Sequence, residues 1–309
     1  VTNLSSRSDG ECGTDPTDHE GETKLHQIII GMLLSSIVPW AAAASGGDPD
    51  RALNGMLEFQ DYRLEYRCRG EGVPVLYLES PSGLSATEAF APVFDAMADR
   101  TRVCLLERLG FGHSDAPIPG LVQTARDYAD ELHVLVERIS PDDEIIIAGY
   151  SFGGFIARVY ADRHPERVTG LLMIDAAHED LFREMKRRLS AQDWARLQEV
   201  FDWFVEHLGH DAWASQFEVE RALIDPDLPV VVISRGLDHQ RLRLTGMSEG
   251  AYRIANDLHD HYQRDLAGLT RNTTRMVARK SEHLIVESEP EIVLAALDRL
   301  LRVVHTNKQ

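Results

Sequence analysis

Ile145-Ile146-Ile147-Ala148-Gly149-Tyr150-Ser151-Phe152-Gly153-Gly154 is a short, uninterrupted apolar run that breaks into Gly-x-Ser-x-Gly and continues as Phe155-Ile156-Ala157-Arg158-Val159-Tyr160. The run reads as a strand buried on both faces, and the segment after it as a helix. A serine on the sharp turn between such a strand and helix is a nucleophile elbow. Gly149 and Gly153 are glycine for a mechanical reason: a side chain at either would collide with the adjoining strand or helix. The helix N-terminus beside Ser151 also offers unpaired N–H groups and a positive dipole to a developing oxyanion. The pentapeptide alone is a weak signal, and its competing reading is a small residue in a tight turn. The strand before it and the helix after it decide for the nucleophile.

Outward from this stretch, strands and helices alternate. Leu57–Phe59 and Tyr62–Cys68 read as an antiparallel pair at a sheet edge, and Val73–Leu78 as a buried strand. A helix is expected over Ala86–Asp99, a strand over Arg102–Leu106, a helix over Val122–Ile139 and a strand over Val168–Ile174. After an interruption, Leu228–Ser234 resumes the sheet. Ala251–Leu269 reads as a helix, Thr273–Ala278 as a strand and Pro290–Val304 as the closing helix. Such alternation implies a parallel sheet with helices on both faces. Ligands of these sheets sit at the carboxyl ends of the strands, where Ser80, Ser151, Asp175 and the loop after Ile233 converge.

Residues 178–225 break the pattern with helical periodicity only and carry Trp194, Trp203 and Trp213, three of the chain's four tryptophans. The segment reads as a helical cap over the sheet's carboxyl edge. Most of its aromatics are ordinary helix packing; those that face the cleft argue for an apolar pocket.

The 309-residue chain is 43% hydrophobic, enough for a substantial core, and its formal charge of −18 argues against nucleic acid as a partner. Residues 1–24 are polar and acidic and read as a disordered leader. Within residues 25–47, the uncharged stretch Ile28–Gly47 reads as a signal or membrane anchor. Export or anchoring is therefore expected, with an apolar helix on a cytoplasmic protein as the alternative. Residues 48–177 and 226–309 form the core. Cys12, Cys68 and Cys104 make no disulfide framework and no metal-ligand spacing; Cys68 and Cys104 read as small buried strand residues, with a bridge between them open if the chain is exported.

A serine nucleophile needs a base, and the base a carboxylate to orient it. His283 lies between the last strand and the last helix, where the chain order Ser, acid, His places the base. Most of the other histidines, such as His207, His210, His259 and His261, read as solvated residues of polar helix faces. Two acids compete: Asp238, after the strand that follows the cap, and Asp175, at the end of the strand before it. Of the two oxyanion donors, Phe152 N–H is one. The other is expected from the loop after Leu78, but Pro81 has no N–H, which leaves Ser80, Ser82 or a neighbour. Glu79 beside this loop reads either as a surface residue or as the buried partner of Arg108.

Leu78-Glu79-Ser80, Glu107-Arg108-Leu109-Gly110-Phe111-Gly112-His113-Ser114-Asp115, Gly149-Tyr150-Ser151-Phe152-Gly153-Gly154, Ile174-Asp175-Ala176-Ala177-His178-Glu179-Asp180 and Ser281-Glu282-His283 together resemble the α/β-hydrolase superfamily, in particular a bacterial group with a Leu-Glu-Ser-Gly motif after the third strand. The resemblance runs from about Met56 to the C-terminus. It implies a mostly parallel eight-stranded sheet with helices on both faces and a helical cap after the sixth strand. It also implies a Ser-acid-His hydrolase with no metal or organic cofactor. Pro81 stands where that group has glycine, and Glu107 where it has aspartate.

The expected activity is hydrolysis of an ester, thioester or lactone of a fairly apolar small molecule through an acyl-enzyme. Two alternatives remain at this level. One is a cyclase or lyase using His283 as acid and base, motivated by Pro81. The other is a non-catalytic binding module using the capped pocket.

Overall fold

The computed structural model describes residues 52–306. The acidic leader and the apolar stretch at 28–47 lie outside the described residues. Among those described, no helix is long and apolar enough to cross a membrane.

Eight strands form one sheet: β1 (Ala52–Phe59), β2 (Tyr62–Arg69), β3 (Val75–Glu79), β4 (Val103–Leu106), β5 (Ile145–Tyr150), β6 (Val168–Ile174), β7 (Val230–Arg235) and β8 (Thr273–Ala278). Their spatial order is β1-β2-β4-β3-β5-β6-β7-β8. The β1–β2 and β2–β4 pairings are antiparallel, and all the others are parallel. This is the α/β-hydrolase sheet expected from the sequence.

The uninterrupted apolar runs follow from cover on both faces. Val75 and Tyr77 of β3, with Ile145 and Ile147 of β5, pack on one side against α3 (Ala125–Ile139) and α4 (Gly153–Arg163). Their neighbours Leu76, Leu78, Ile146 and Ala148 pack on the other side, against α2 (Phe94–Ala98) and α10 (Pro290–Thr306). Side chains alternate across a strand, so a strand covered on both faces must be apolar throughout.

The helix expected over Ala86–Asp99 is two short helices, α1 (Ala86–Phe90) and α2, with turns between them. Pro92 lies in the break. It lacks an N–H and its ring would clash with the preceding turn, so one continuous helix is excluded. Cys68 and Cys104 face each other across β2 and β4 and are joined by a disulfide, beyond the simple burial expected of them.

Three helices lie between β6 and β7: α5 (Leu181–Arg188), α6 (Ala191–Leu208) and α7 (Ala212–Val219). Leu181, Met185, Trp194 and Leu197 of this segment form a separate apolar cluster with Tyr252, Ala255 and Leu258 of α8 (Glu249–Leu266). A 3-10 turn at Gln240–Thr245 and a short helix, α9 (Ile285–Ser288), complete the elements and were not foreseen.

Candidate active site

Ser151 sits between β5 and α4 with φ of 53°, a left-handed conformation that costs a non-glycine residue on the order of 1–3 kcal/mol. The surroundings impose this turn. Ser151 N–H donates to Ile174 O (2.9 Å) and its carbonyl accepts from Ala177 N–H (2.9 Å), so the elbow is stitched to the end of β6. A Cβ on Gly149 would lie 2.5 Å from the Gly153 carbonyl oxygen, and one on Gly153 would lie 2.2 Å from that of Glu79. Glycine at 153 therefore lets the Ser151 turn touch the end of β3, where the 80–82 loop begins. Phe152 N–H donates to no carbonyl among the described residues.

Asp175, also in a left-handed conformation at φ 40°, ends β6 with its carboxylate fully buried. Four donors converge on it. Oδ1 accepts from the Arg235 backbone N–H (3.0 Å) and His259 Nε2 (2.9 Å); Oδ2 accepts from Arg235 Nη1 (3.1 Å) and pairs with His283 Nδ1 (2.7 Å). Burial works to raise this carboxyl's pKa. His259, Arg235 and the hydrogen bonds from the two histidines outweigh it and hold the group well below the usual carboxylate range. Asp238 stands elsewhere: it is exposed and outside the cavity lining. Of the two candidate acids, the structure brings Asp175 to His283.

His283 is positioned from behind. Its carbonyl accepts from Tyr150 Oη (2.7 Å), and Glu289 fixes the preceding loop by accepting from Lys280 N–H (2.8 Å) and Ser281 Oγ (2.7 Å). With Nδ1 on Asp175, Nε2 is the nitrogen left for proton transfer. His239 and His259 line the same cavity, but burial pushes both down to about 4, so they are neutral near pH 7.

His259 and His210 correct the expectation of solvated histidines, since both are buried. His259 belongs to a stripe of α8 (Tyr252, Ala255, Asn256, His259, Gln263) that packs inward. That three-and-four spacing was the available signal, and its polar members disguised it. His207 and His261 are exposed as expected.

The 80–82 loop is fixed by the Glu107-Arg108 pair. The Glu107 carboxylate caps α1, accepting from Ser85 Oγ (2.7 Å), Ala86 N–H (2.8 Å) and Thr87 N–H (2.8 Å). Arg108 donates to the carbonyls of Ser80 (2.7 Å) and Pro81 (3.1 Å) and to Glu79 (3.4 Å), and its guanidinium lies over the Phe152 ring. Burial pushes the Glu79 carboxyl up to about 7 against the pull of Arg108. Ser80 is buried, whereas Ser82 reaches the cavity.

Ser151, Asp175, His283, Pro81 and Ser82 line one cavity of about 220 Å³. Its far wall is apolar: Leu181, Phe182 and Met185 of α5, and Leu197, Val200, Phe201 and Phe204 of α6. Among the described residues no group of three or more His, Cys, Asp or Glu side chains is arranged to hold a metal ion.

Residues 81–228 match the family model for the alpha/beta hydrolase fold. Over 109 residues (35% of this chain, 26% of the relative) the sequence is 34% identical to a 1-acylglycerol-3-phosphate O-acyltransferase of Arabidopsis thaliana. Over 118 residues (37% and 40%) it is 33% identical to a 2-hydroxymuconate semialdehyde hydrolase of Pseudomonas putida. The match thus spans between a quarter and two fifths of these relatives' own lengths. A thermophilic esterase from Thermogutta terrifontis shares the fold with a TM-score of 0.54 at 20% identity, over 82% of this chain and 99% of that one. The sheet order, the serine elbow and these likenesses agree: the chain has the alpha/beta hydrolase fold, and residues 81–228 match that family's model.

Proposed function

We propose that the protein is a serine hydrolase that cleaves an ester, thioester or lactone of a compact, fairly apolar small molecule. The observation that carries this reading is the Asp175–His283 contact of 2.7 Å in a cavity shared with the strained Ser151. Ser151 attacks the acyl carbon while His283 Nε2 takes its proton. Asp175 holds the ring in the tautomer with hydrogen on Nδ1 and stabilises the imidazolium that forms. Phe152 N–H and a donor of the 80–82 loop receive the oxyanion. Collapse expels the alcohol or thiol, which takes the proton from His283. Water, deprotonated by His283, then releases the acid and restores Ser151.

The apolar wall from α5 and α6 acts as a cap that receives the acyl or alkyl part of the substrate, and a cavity of about 220 Å³ suits a ligand smaller than a typical drug. The Cys68–Cys104 bridge supports an exported or membrane-anchored protein, with residues 28–47 as signal or tether, because such bridges persist in oxidising compartments. The test is turnover of a p-nitrophenyl ester series from acetyl to lauroyl by wild type and Ser151→Ala. Saturable hydrolysis with a preference for the shorter chains, abolished in the variant, is expected. Product formation that survives Ser151→Ala would refute the assignment.

A further inference from the structure

Behind the 80–82 loop lies a chain of polar side chains that ends on the Ser82 hydroxyl at the cavity. Pro81 and Ser82 are the residues of the 80–82 loop that line the cavity, and Pro81 has no N–H to offer. Ser82 Oγ lies 2.8 Å from His210 Nε2, and His210 Nδ1 lies 3.3 Å from the Tyr128 hydroxyl. His210 comes from the segment between α6 and α7. It is seated by Gln123, whose N–H donates to Gly209 O (2.6 Å) and whose carbonyl accepts from Asp211 N–H (2.9 Å). Its ring lies edge-on to that of Phe152, with centroids 4.0 Å apart, so it touches both sides of the oxyanion site.

Hydrogen accounting orders this chain. His210 is buried, and burial with the Arg108 charge holds its pKa well below the usual value, so the ring is neutral and carries one proton. Tyr128 is also buried, and among the described residues the acceptor within reach of its hydroxyl is His210 Nδ1. If the ring proton sat on Nδ1, the Tyr128 proton would be stranded, at a cost of about 1–3 kcal/mol. Tyr128 therefore donates to Nδ1, the ring proton sits on Nε2, and Nε2–H donates to Ser82 Oγ. The Ser82 oxygen is thereby used as an acceptor, and its own proton is left to turn into the cavity.

We infer that the Ser82 hydroxyl is the second donor of the oxyanion hole, aimed by a His210 imidazole that Tyr128 holds in the Nε2–H tautomer. The inference rests on the hydrolase reading and deepens it. Ser82 is a catalytic residue in this account, and His210 and Tyr128 are positioning residues.

The test combines kinetics with nitrogen NMR. Ser82→Ala keeps the backbone N–H at 82 and loses only the hydroxyl. It is expected to lower kcat about 10²–10³-fold with KM unchanged, and to slow fluorophosphonate labelling of Ser151 correspondingly. Ser82→Thr, which keeps a hydroxyl, should recover most of that loss. In wild type, long-range ¹H–¹⁵N correlation should show His210 as a neutral Nε2–H ring, shifting toward Nδ1–H in Tyr128→Phe. A Ser82→Ala protein as reactive as wild type, or a His210 proton on Nδ1, overturns the inference while the hydrolase reading stands. A folded wild type that neither turns over nor labels sinks the hydrolase reading, and the Ser82 role with it.

Discussion

Replacing Asp175 with asparagine should cost both catalysis and stability. Each carboxylate oxygen takes two donors: Arg235 N–H and His259 Nε2 on Oδ1, Arg235 Nη1 and His283 Nδ1 on Oδ2. An amide has one carbonyl oxygen, so one pair of donors must face NH₂. The Arg235 backbone N–H cannot turn away, whereas the guanidinium can shift and an imidazole can change tautomer. The carbonyl oxygen therefore stays at Oδ1, and NH₂ faces His283. His283 Nδ1 must then accept, which moves the ring proton to Nε2 and removes the base. A loss of about 10⁴-fold in kcat is expected, or roughly 5.4 kcal/mol in the barrier. Stability also falls, by roughly 3–5 kcal/mol, because the Arg235 side chain is 7% exposed and loses its anion. The control is Asp238→Asn, an exposed site whose replacement should change stability by less than about 0.5 kcal/mol and leave kcat unchanged. The assays are ester turnover and urea midpoints on the three proteins. An Asp175→Asn protein within about tenfold of wild-type kcat, or a large loss in Asp238→Asn, would refute the assignment.

Other expectations are read first as changes in stability. The Glu131 carboxyl is pushed up to about 7 by burial, although Tyr62 and Gln123 donate to it, both to Oε1. Ionising near 4.5 when unfolded and near 7 when folded, it makes stability fall as pH rises between those values, and the cost persists above them. Glu131→Gln keeps both hydrogen bonds on its carbonyl oxygen, so it should flatten that decline and raise Tm at pH 8, with a gain of up to about 3 kcal/mol; an unchanged pH profile would contradict this. Reducing the Cys68–Cys104 bridge, which closes a 36-residue separation, should lower stability by about 3–4 kcal/mol, read as a fall in the urea midpoint, and an unmoved midpoint would count against the bond. Gly153→Ala places a methyl group 2.2 Å from the Glu79 carbonyl and should cost about 1–3 kcal/mol, together with a loss of activity that a surface Gly250→Ala would not show.

The fold was legible where local signal and tertiary demand coincide. Ile145–Tyr150 is apolar at every position because both of its faces are covered, and the glycines after it admit only the elbow. The break at Pro92 was also written in the sequence, but the apolar spacing on either side hid it. At the site, Ser151 and His283 follow from chain order. The acid does not, because Asp175 and Asp238 both follow strand ends. What separates them is the left-handed backbone of Asp175 and the convergence of Arg235, His259 and His283 upon it, all distant in sequence. His210 was illegible for the same reason: its partners, Ser82 and Tyr128, lie 128 and 82 residues away.

The proposed mechanism requires that His283 activate Ser151. Its most direct test is intact-mass analysis after treatment with a fluorophosphonate, on wild type, Ser151→Ala and His283→Ala. One adduct is expected on wild type and none on either variant. A well-folded wild-type protein that takes up no adduct, or an adduct that persists in Ser151→Ala, would contradict it.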